Sequence, residues 1–276
     1  MPNSRTTAKP PLTRATSDRH LLYQAAVQAS DAEIDFITHR FKQLRKRPAR
    51  LLREDFCGTA LSACEFVRRH KDNHAVGLDL HQPTLDWGLR HNVAKLPDDA
   101  RARISLLNRN VLSPTDADRA FDIVEAMNFS YWIFTTRPRM LDYFRTVRAS
   151  LKPDGVFFLD FWGGYESMRE QRERRRISRG VTYIWDQHHY DPISGIMTCY
   201  IHFEFKRGPA WNRAFTYVWR LWTLPEIREL LAEAGFKNVT VYWEGENEHG
   251  NGTGYFHPRK KGVADASFIC YLSAEK

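Results

Sequence analysis

A chain of 276 residues, 42% hydrophobic and 27% charged, suits one large α/β domain or a domain with an insertion, and it can bury a sizeable core. No apolar run approaches the ~18 residues of a membrane span, so no membrane partner is expected. The formal charge of +8 invites a nucleic-acid reading. The excess is concentrated in Arg40 to Arg53 and Arg169 to Arg179, read as helix ends and solvated helix faces, and no RNP motif or zinc finger accompanies it. Nucleic acid is therefore not the expected partner, although an anionic small molecule remains open.

Residues 1–16 read as a disordered lead without the apolar core of a secretory signal. Cys57, Cys64, Cys199 and Cys270 show no C-x-x-C pairing and read as free thiols, so a cytoplasmic location is expected. His188, His189 and His202 lack a metal-ligand spacing, and no metal is expected.

Leu21, Leu22, Ala25 and Ala26, then Ile34, Ile37, Phe41 and Leu44, recur at helical spacing from Ser17 to Lys46. Ser30 and Glu33 have capping-box spacing, which divides that stretch into two helices. Ala49, Leu51 and Leu52 then lead into Arg53-Glu-Asp-Phe-Cys-Gly-Thr-Ala60 and a helical pattern, Leu61 to Arg69. Strand, tight turn and helix together aim backbone N–H groups at a ligand. A second strand, His74 to Leu80, carries Asp79 at its end, well placed for ribose hydroxyls. This is the pattern of a nucleoside-cofactor site. The dinucleotide fingerprint needs three glycines, and with Phe56 and Ala60 flanking Gly58 a pyrophosphate is disfavoured.

A helix over Gln82 to Lys95 follows, then strands Arg103 to Leu112 and Ala120 to Met127, and a helix from Arg137 to Leu151. Lys152-Pro-Asp-Gly155 turns into a fifth strand, Val156 to Phe161. Residues 163–222 hold a charged helical piece and three alternating segments, Val181–Trp185, Ile196–Phe205 and Ala214–Trp222, which read as an inserted antiparallel sheet. A helix capped by Thr223, with Pro225 near its start and Gly235 at its stop, precedes strands Val239–Trp243 and Ala266–Ser273, joined by a polar loop from Glu244 to Val263.

The stretch Glu54-Asp-Phe-Cys-Gly-Thr-Ala60, the Leu151-Lys-Pro-Asp-Gly155 turn and the Leu224 to Phe236 helix resemble the corresponding motifs of the class I S-adenosylmethionine (SAM)-dependent methyltransferases. The resemblance covers nearly the whole chain in order of elements. It implies an α/β fold, a Rossmann-like doubly wound seven-stranded mostly parallel sheet with an antiparallel sheet inserted after strand 5. It also implies methyl transfer from SAM to nitrogen or oxygen of a small-molecule acceptor, with S-adenosylhomocysteine (SAH) as product. By position, Glu54 lies near the methionine part, Phe56, Cys57, Gly58 and Thr59 form the loop beneath the cofactor, and Asp79 with Leu80 binds the ribose. Asn110 and Val111 would meet the adenine, and Ala126, Met127 and Asn128 the sulfonium side. Asp18 to Gln28 resembles an N-terminal helix that covers the cofactor, which gives Tyr23 a place at the methionine end; packing of Tyr23 within its helix is the alternative.

The division implied is a core of 17–162 and 223–276 and an inserted subdomain of 163–222. That subdomain resembles the sheet that roofs the site or makes a homodimer in glycine and amino-sugar N-methyltransferases. No triad or nucleophile elbow is present, as suits a displacement at a leaving group already charged. Tyr23, Tyr131, Asp160 and Trp162 are the candidate catalytic residues, and Phe129, Trp132 and Phe161 the candidate aromatic wall. Tyr165, His188, His189, Glu246 and His249 are further candidate proton acceptors or anchors. The alternatives are an RNA or protein methyltransferase using the basic surface, and a domain that binds SAM or SAH without catalysis.

Overall fold

The computed structural model describes residues 12–113 and 120–276. In chain order its elements begin with α1 (Arg19–Val27), α2 (Ser30–Arg45), β1 (Leu51–Asp55), α3 (Leu61–Arg69), β2 (His74–Asp79) and α4 (Gln82–His91). Then come α5 (Asp98–Arg101), β3 (Ile104–Asn108), β4 (Phe121–Ala126), α6 (Arg137–Ser150) and β5 (Leu151–Gly163). The second half holds β6 (Gln171–Ser178), β7 (Val181–Tyr190), β8 (Ile196–Phe205), β9 (Trp211–Arg220), α7 (Leu224–Glu233), β10 (Lys237–Glu246), β11 (Gly252–Arg259) and β12 (Phe268–Glu275). Among the described residues no helix is long and apolar enough to cross a membrane. The chain forms two compact units, 12–28 with 169–218 and 29–168 with 219–276.

The larger unit is a mixed sheet of eight strands in the order β11-β10-β12-β5-β4-β1-β2-β3. The five strands from β3 to β5 run parallel, and β12 turns back against both β5 and β10. Every residue of β4 is buried, because helices cover both faces. On one face Ile34, Ile37 and Phe41 of α2 and Phe66 and Val67 of α3 pack with Leu52, Ile123 and Phe158. On the other, Tyr143 and Phe144 of α6 meet Phe157, which also stacks on Phe236 beyond α7. Helix α7 starts at Thr223 with a reciprocal capping box to Glu226, and Gly235 (φ 92°) ends it in the left-handed conformation.

The seven strands expected are present, and the loop after β10 adds an eighth. Gly252–Arg259 pairs antiparallel with β10, its Tyr255, Phe256 and His257 supplying strand character that the surrounding glycines hid. The capping box expected at Ser30 is not formed. Ala29 is the N-cap, the Ser62 hydroxyl donates to the Ser30 hydroxyl, and the buried Glu33 carboxyl reaches back to the Ala29 amide instead of a Ser30 backbone group. The break between the two N-terminal helices is nevertheless at that point.

In the smaller unit, β6-β7-β8-β9 form an antiparallel sheet, with β9 running on into the larger unit at Trp219. Leu22 and Ala26 of α1 pack on Val181, Ile201, Phe203 and Ala214. Helix α1 thus has its hydrophobic partner in this sheet, where the sequence grouped it with the core. The lead also ends earlier than residue 16: residues 14–16 make a 3-10 turn whose Arg14 lies over the Trp211 ring, while residues 1–11 lie outside the described residues.

The arginine-rich segment, expected as a helix, is strand β6. It has no apolar stripe to seat a helix, whereas alternation sends its charges to cross-strand partners. Arg172 pairs with Asp186 and Arg174 with Glu204, while Arg175 lies over Tyr183 and donates to the Ala26 carbonyl. A charged edge strand also discourages the addition of further strands.

Candidate functional site

The turn after β1 is held by an unusual backbone. Phe56 (φ 57°), Gly58 (φ 52°) and Ala60 (φ 57°) all adopt the left-handed conformation, a strained choice for the two residues with a Cβ. Two glycines make room beneath it. A Cβ on Gly77 would lie 2.8 Å from the Cys57 sulfur, and one on Gly88 only 2.6 Å from the Thr59 carbonyl oxygen. Asn92 donates to that same carbonyl at 2.8 Å. Phe56 keeps a turn usually left to glycine because its ring leaves the site side, packing on Phe134 and Tyr143 at 6.0 and 5.6 Å. Its contribution to the site is backbone shape.

Asp79 closes the turn from β2. Its Oδ2 accepts from the Gly58 amide at 2.9 Å and its Oδ1 from the His81 amide at 2.8 Å. The carboxylate is thereby fixed at the strand end, half-exposed, with lone pairs left over for a ligand's hydroxyls. Leu80 beside it is exposed. Across the sheet edge, the Asn108 side chain donates to the Leu80 carbonyl at 2.8 Å. Asn110 folds back to accept from the Leu112 amide at 3.0 Å, and Val111 is buried.

At the end of β4, Ala126 and Met127 are buried, and Asn128 and Phe129 are again left-handed (φ 58° and 55°). Both amides donate to Asp160, at 2.7 and 2.9 Å, and the Tyr131 hydroxyl donates to the Asp160 carbonyl at 2.7 Å. Two of the candidate catalytic residues therefore hold the loop in place. Burial pushes the Asp160 carboxyl up to about 8, the loop amides opposing and Glu33 adding repulsion, and burial raises the Tyr131 phenol well above its ordinary range. Trp162 donates to the Ser267 hydroxyl at 3.0 Å. Its ring stands 6.4 Å from Phe129 and 6.1 Å from Trp132, and Trp219 lies 6.3 Å from Phe129. These rings form an aromatic wall beside the β4 end, with Phe161 edge-on to Trp132.

Sequence reasoning missed two acids. Glu54 and Glu125 are register partners on adjacent strands, and Glu33 from α2 and Asp160 from β5 are close enough to repel them. Glu54 has an anchor, accepting from the Ala63 amide at 2.8 Å. Among the described residues, Glu125, 0% exposed, has no hydrogen-bond partner on either oxygen, and Glu33, 5% exposed, has none on Oε2. Burial first, then neighbouring carboxylates, pushes Glu54 up to about 8, Glu33 to about 7 and Glu125 well above the carboxylate range. A lone acid in the otherwise apolar Phe121–Ala126 strand was a legible signal for Glu125, since such residues are seldom buried without a partner. Glu33 was hidden by its capping-box spacing.

The remaining candidates are dispersed. Tyr23 lies in the smaller unit, its ring 4.8 Å from Phe215 and its hydroxyl bonded to Tyr217. His189 pairs with Glu170, His188 is near Asp186, and Tyr165, Glu246 and His249 are exposed. All four cysteines are free and buried, and burial with nearby acids raises the Cys57 thiol, which removes it as a nucleophile. Among the described residues no group of three or more His, Cys, Asp or Glu is arranged to hold a metal.

No protein-family model matches the chain, and no curated protein matches it in sequence. Solved structures do match its fold. A SAM-dependent methyltransferase from Clostridium acetobutylicum is 16% identical with a TM-score of 0.67, covering 93% of this chain and 96% of that one. SAM-bound CalS10, an amino pentose methyltransferase from Micromonospora echinaspora, is 17% identical with a TM-score of 0.66, covering 97% and 99%. DesVI from Streptomyces venezuelae is 18% identical with a TM-score of 0.65, covering 92% and 95%. The chain has the class I SAM-dependent methyltransferase fold.

Proposed function

We propose that the protein is a SAM-dependent methyltransferase acting on nitrogen or oxygen of a small molecule. The observation that carries this reading is the left-handed turn after β1, closed by the Asp79 carboxylate at the end of β2. Asp79 and Leu80 would hold the ribose, Asn110 and Val111 the adenine, and the backbone from Phe56 to Thr59 the span between ribose and methionine. Glu54, Ala126, Met127 and Asn128 would flank the methionine part. Bound SAM supplies an electrophilic methyl group on a positively charged leaving group. The chain's own work is alignment and exclusion of water, done by the Asp160-pinned loop and the wall of Phe129, Trp132 and Trp162.

An amine is the acceptor this reading favours. Two solved neighbours point the same way: CalS10 is described as an amino pentose methyltransferase, and KedS8 as a sugar N-methyltransferase. Four free cysteines suit a cytoplasmic enzyme. One observation favours a second reading, an RNA or other anionic acceptor. Arg228, Arg259, Lys260 and Lys261 line a cleft of about 630 Å³ along β10 and β11.

The test is transfer of labelled methyl from SAM to a panel of amino sugars, simple amines, phenols and acids, with total RNA as a separate arm. Label on an amine is expected. Label on RNA alone, abolished by salt, would move the assignment to the second reading. SAH binding with no transfer to any acceptor would leave a cofactor-binding domain without catalysis.

A further inference from the structure

The centre of the sheet carries a group of acids with no counter-ion among the described residues. Glu54 and Glu125 stand side by side on β1 and β4, and Asp160 follows on β5. Glu33 comes from α2, which packs on the same face. The Asp160 oxygens are occupied by two loop amides and one Glu54 oxygen by Ala63. Both oxygens of Glu125 and Oε2 of Glu33 are buried and without a hydrogen-bond partner. A fold does not gain stability from such groups, since each unpaired buried carboxyl costs free energy.

The surrounding charges give no relief. The charged groups that act on Glu125 are Glu54, Glu33, Asp55 and Asp160, all acids. Asp79 from β2 presses on Glu54, and Asp31 from the same helix on Glu33. From β12, Tyr271 faces the group, and burial first, then Glu33, Asp160, Glu244 of β10 and Glu125, raises its phenol. The α3 side presents Cys64, whose thiol burial first and then Glu54 raises, and the turn presents Cys57. Arg53, the nearest buried arginine in sequence, is committed to Asp55.

We propose that Glu33 and Glu125, with Glu54, form a counter-ion seat that is completed by a cationic group of the bound ligand. The inference rests on the SAM reading of the site and adds residues to it. It applies to either cation SAM offers, the α-ammonium shared with SAH or the sulfonium that SAH lacks. Without the cation the acids hold protons; when it enters they ionise, and the protons leave to solvent. Ligand binding and proton release are therefore one event.

Calorimetry of SAM, SAH and 5′-methylthioadenosine in two buffers of different ionisation enthalpy reads this directly. The wild type should release protons on binding SAM, and its affinity should rise about tenfold per pH unit for each proton released, between about pH 6 and about pH 8. Release with both SAM and SAH assigns the seat to the ammonium; release with SAM alone assigns it to the sulfonium. Methylthioadenosine, which has neither cation, should bind without release. Glu125→Gln should release fewer protons and flatten the pH slope, and Glu33→Gln supplies the same test if the first variant folds poorly. Binding of SAM with no proton release, or equal release with methylthioadenosine, overturns the seat alone. Absence of binding by all three ligands overturns the SAM reading together with it.

Discussion

The two faces of β1 treat buried acids in opposite ways. On one, Asp55 is ion-paired to Arg53 at 2.8 Å, receives the Tyr143 hydroxyl at 2.9 Å, and Arg53 donates on to Ser150 at 2.6 Å. On the other, the neighbouring Glu54 faces Glu125 and Glu33, with no cation among the described residues. Both groups are buried, so burial alone does not separate structure from function. Completion does. A closed network holds the fold, whereas an acid left open holds a place for something that arrives later.

Removing one member of the closed network should have the largest effect. Arg53→Ala strands Asp55 and should lower stability by ~3–5 kcal/mol, read by urea unfolding. Retained stability would dissolve the contrast between the faces. Asp160→Asn replaces one acceptor of two loop amides with a donor and should cost about 1–3 kcal/mol while loosening the Asn128–Ser130 loop, seen in amide exchange. Gly88→Ala forces a Cβ to 2.6 Å from the Thr59 carbonyl and should cost ~1–3 kcal/mol, with weakened SAH binding.

The open group has its own signature. Glu54 and Asp160 are raised to about 8 from 4.5 and 3.8, so between those values the folded state binds more protons than the unfolded state. Stability contributed by these groups is therefore present at low pH and lost as pH rises toward 8. Thermal melts of ligand-free protein should show that decline, and Glu125→Gln should flatten it; a steeper decline in the variant would contradict the repulsion. Smallest of all, Arg174→Ala on the exposed β6 edge should leave the melting temperature unchanged, since both partners of the Arg174–Glu204 pair are solvated.

Much of this architecture was legible in residue order. The turn from Glu54 to Ala60 and the acid at Asp79 are local signals that survive folding, whereas Lys152-Pro-Asp-Gly155, expected as a turn before the fifth strand, lies inside β5, where the register against β4 shifts between Phe121 and Ile123. What escaped depended on partners far along the chain. Strand β6 looks helical until Asp186 and Glu204 stand opposite its arginines, and α1 looks like a core helix until Val181 and Phe203 cover it. Glu33 does reach the helix end, at the Ala29 amide, but spacing does not reveal that its second oxygen is buried beside Glu54 and Glu125. Phe56 seemed an obstacle to the turn, and only the pocket made by Phe134 and Tyr143 shows where its ring goes.

The most direct test of the account is calorimetric binding of SAH, beside NAD, to the wild type and to Asp79→Asn. The account predicts micromolar or tighter SAH binding, no NAD binding, and a loss of about 10–100-fold in the variant as charged hydrogen bonds to the ribose disappear. NAD binding without SAH binding, or a variant that binds SAH as well as the wild type, would contradict the assignment of this turn and this carboxylate.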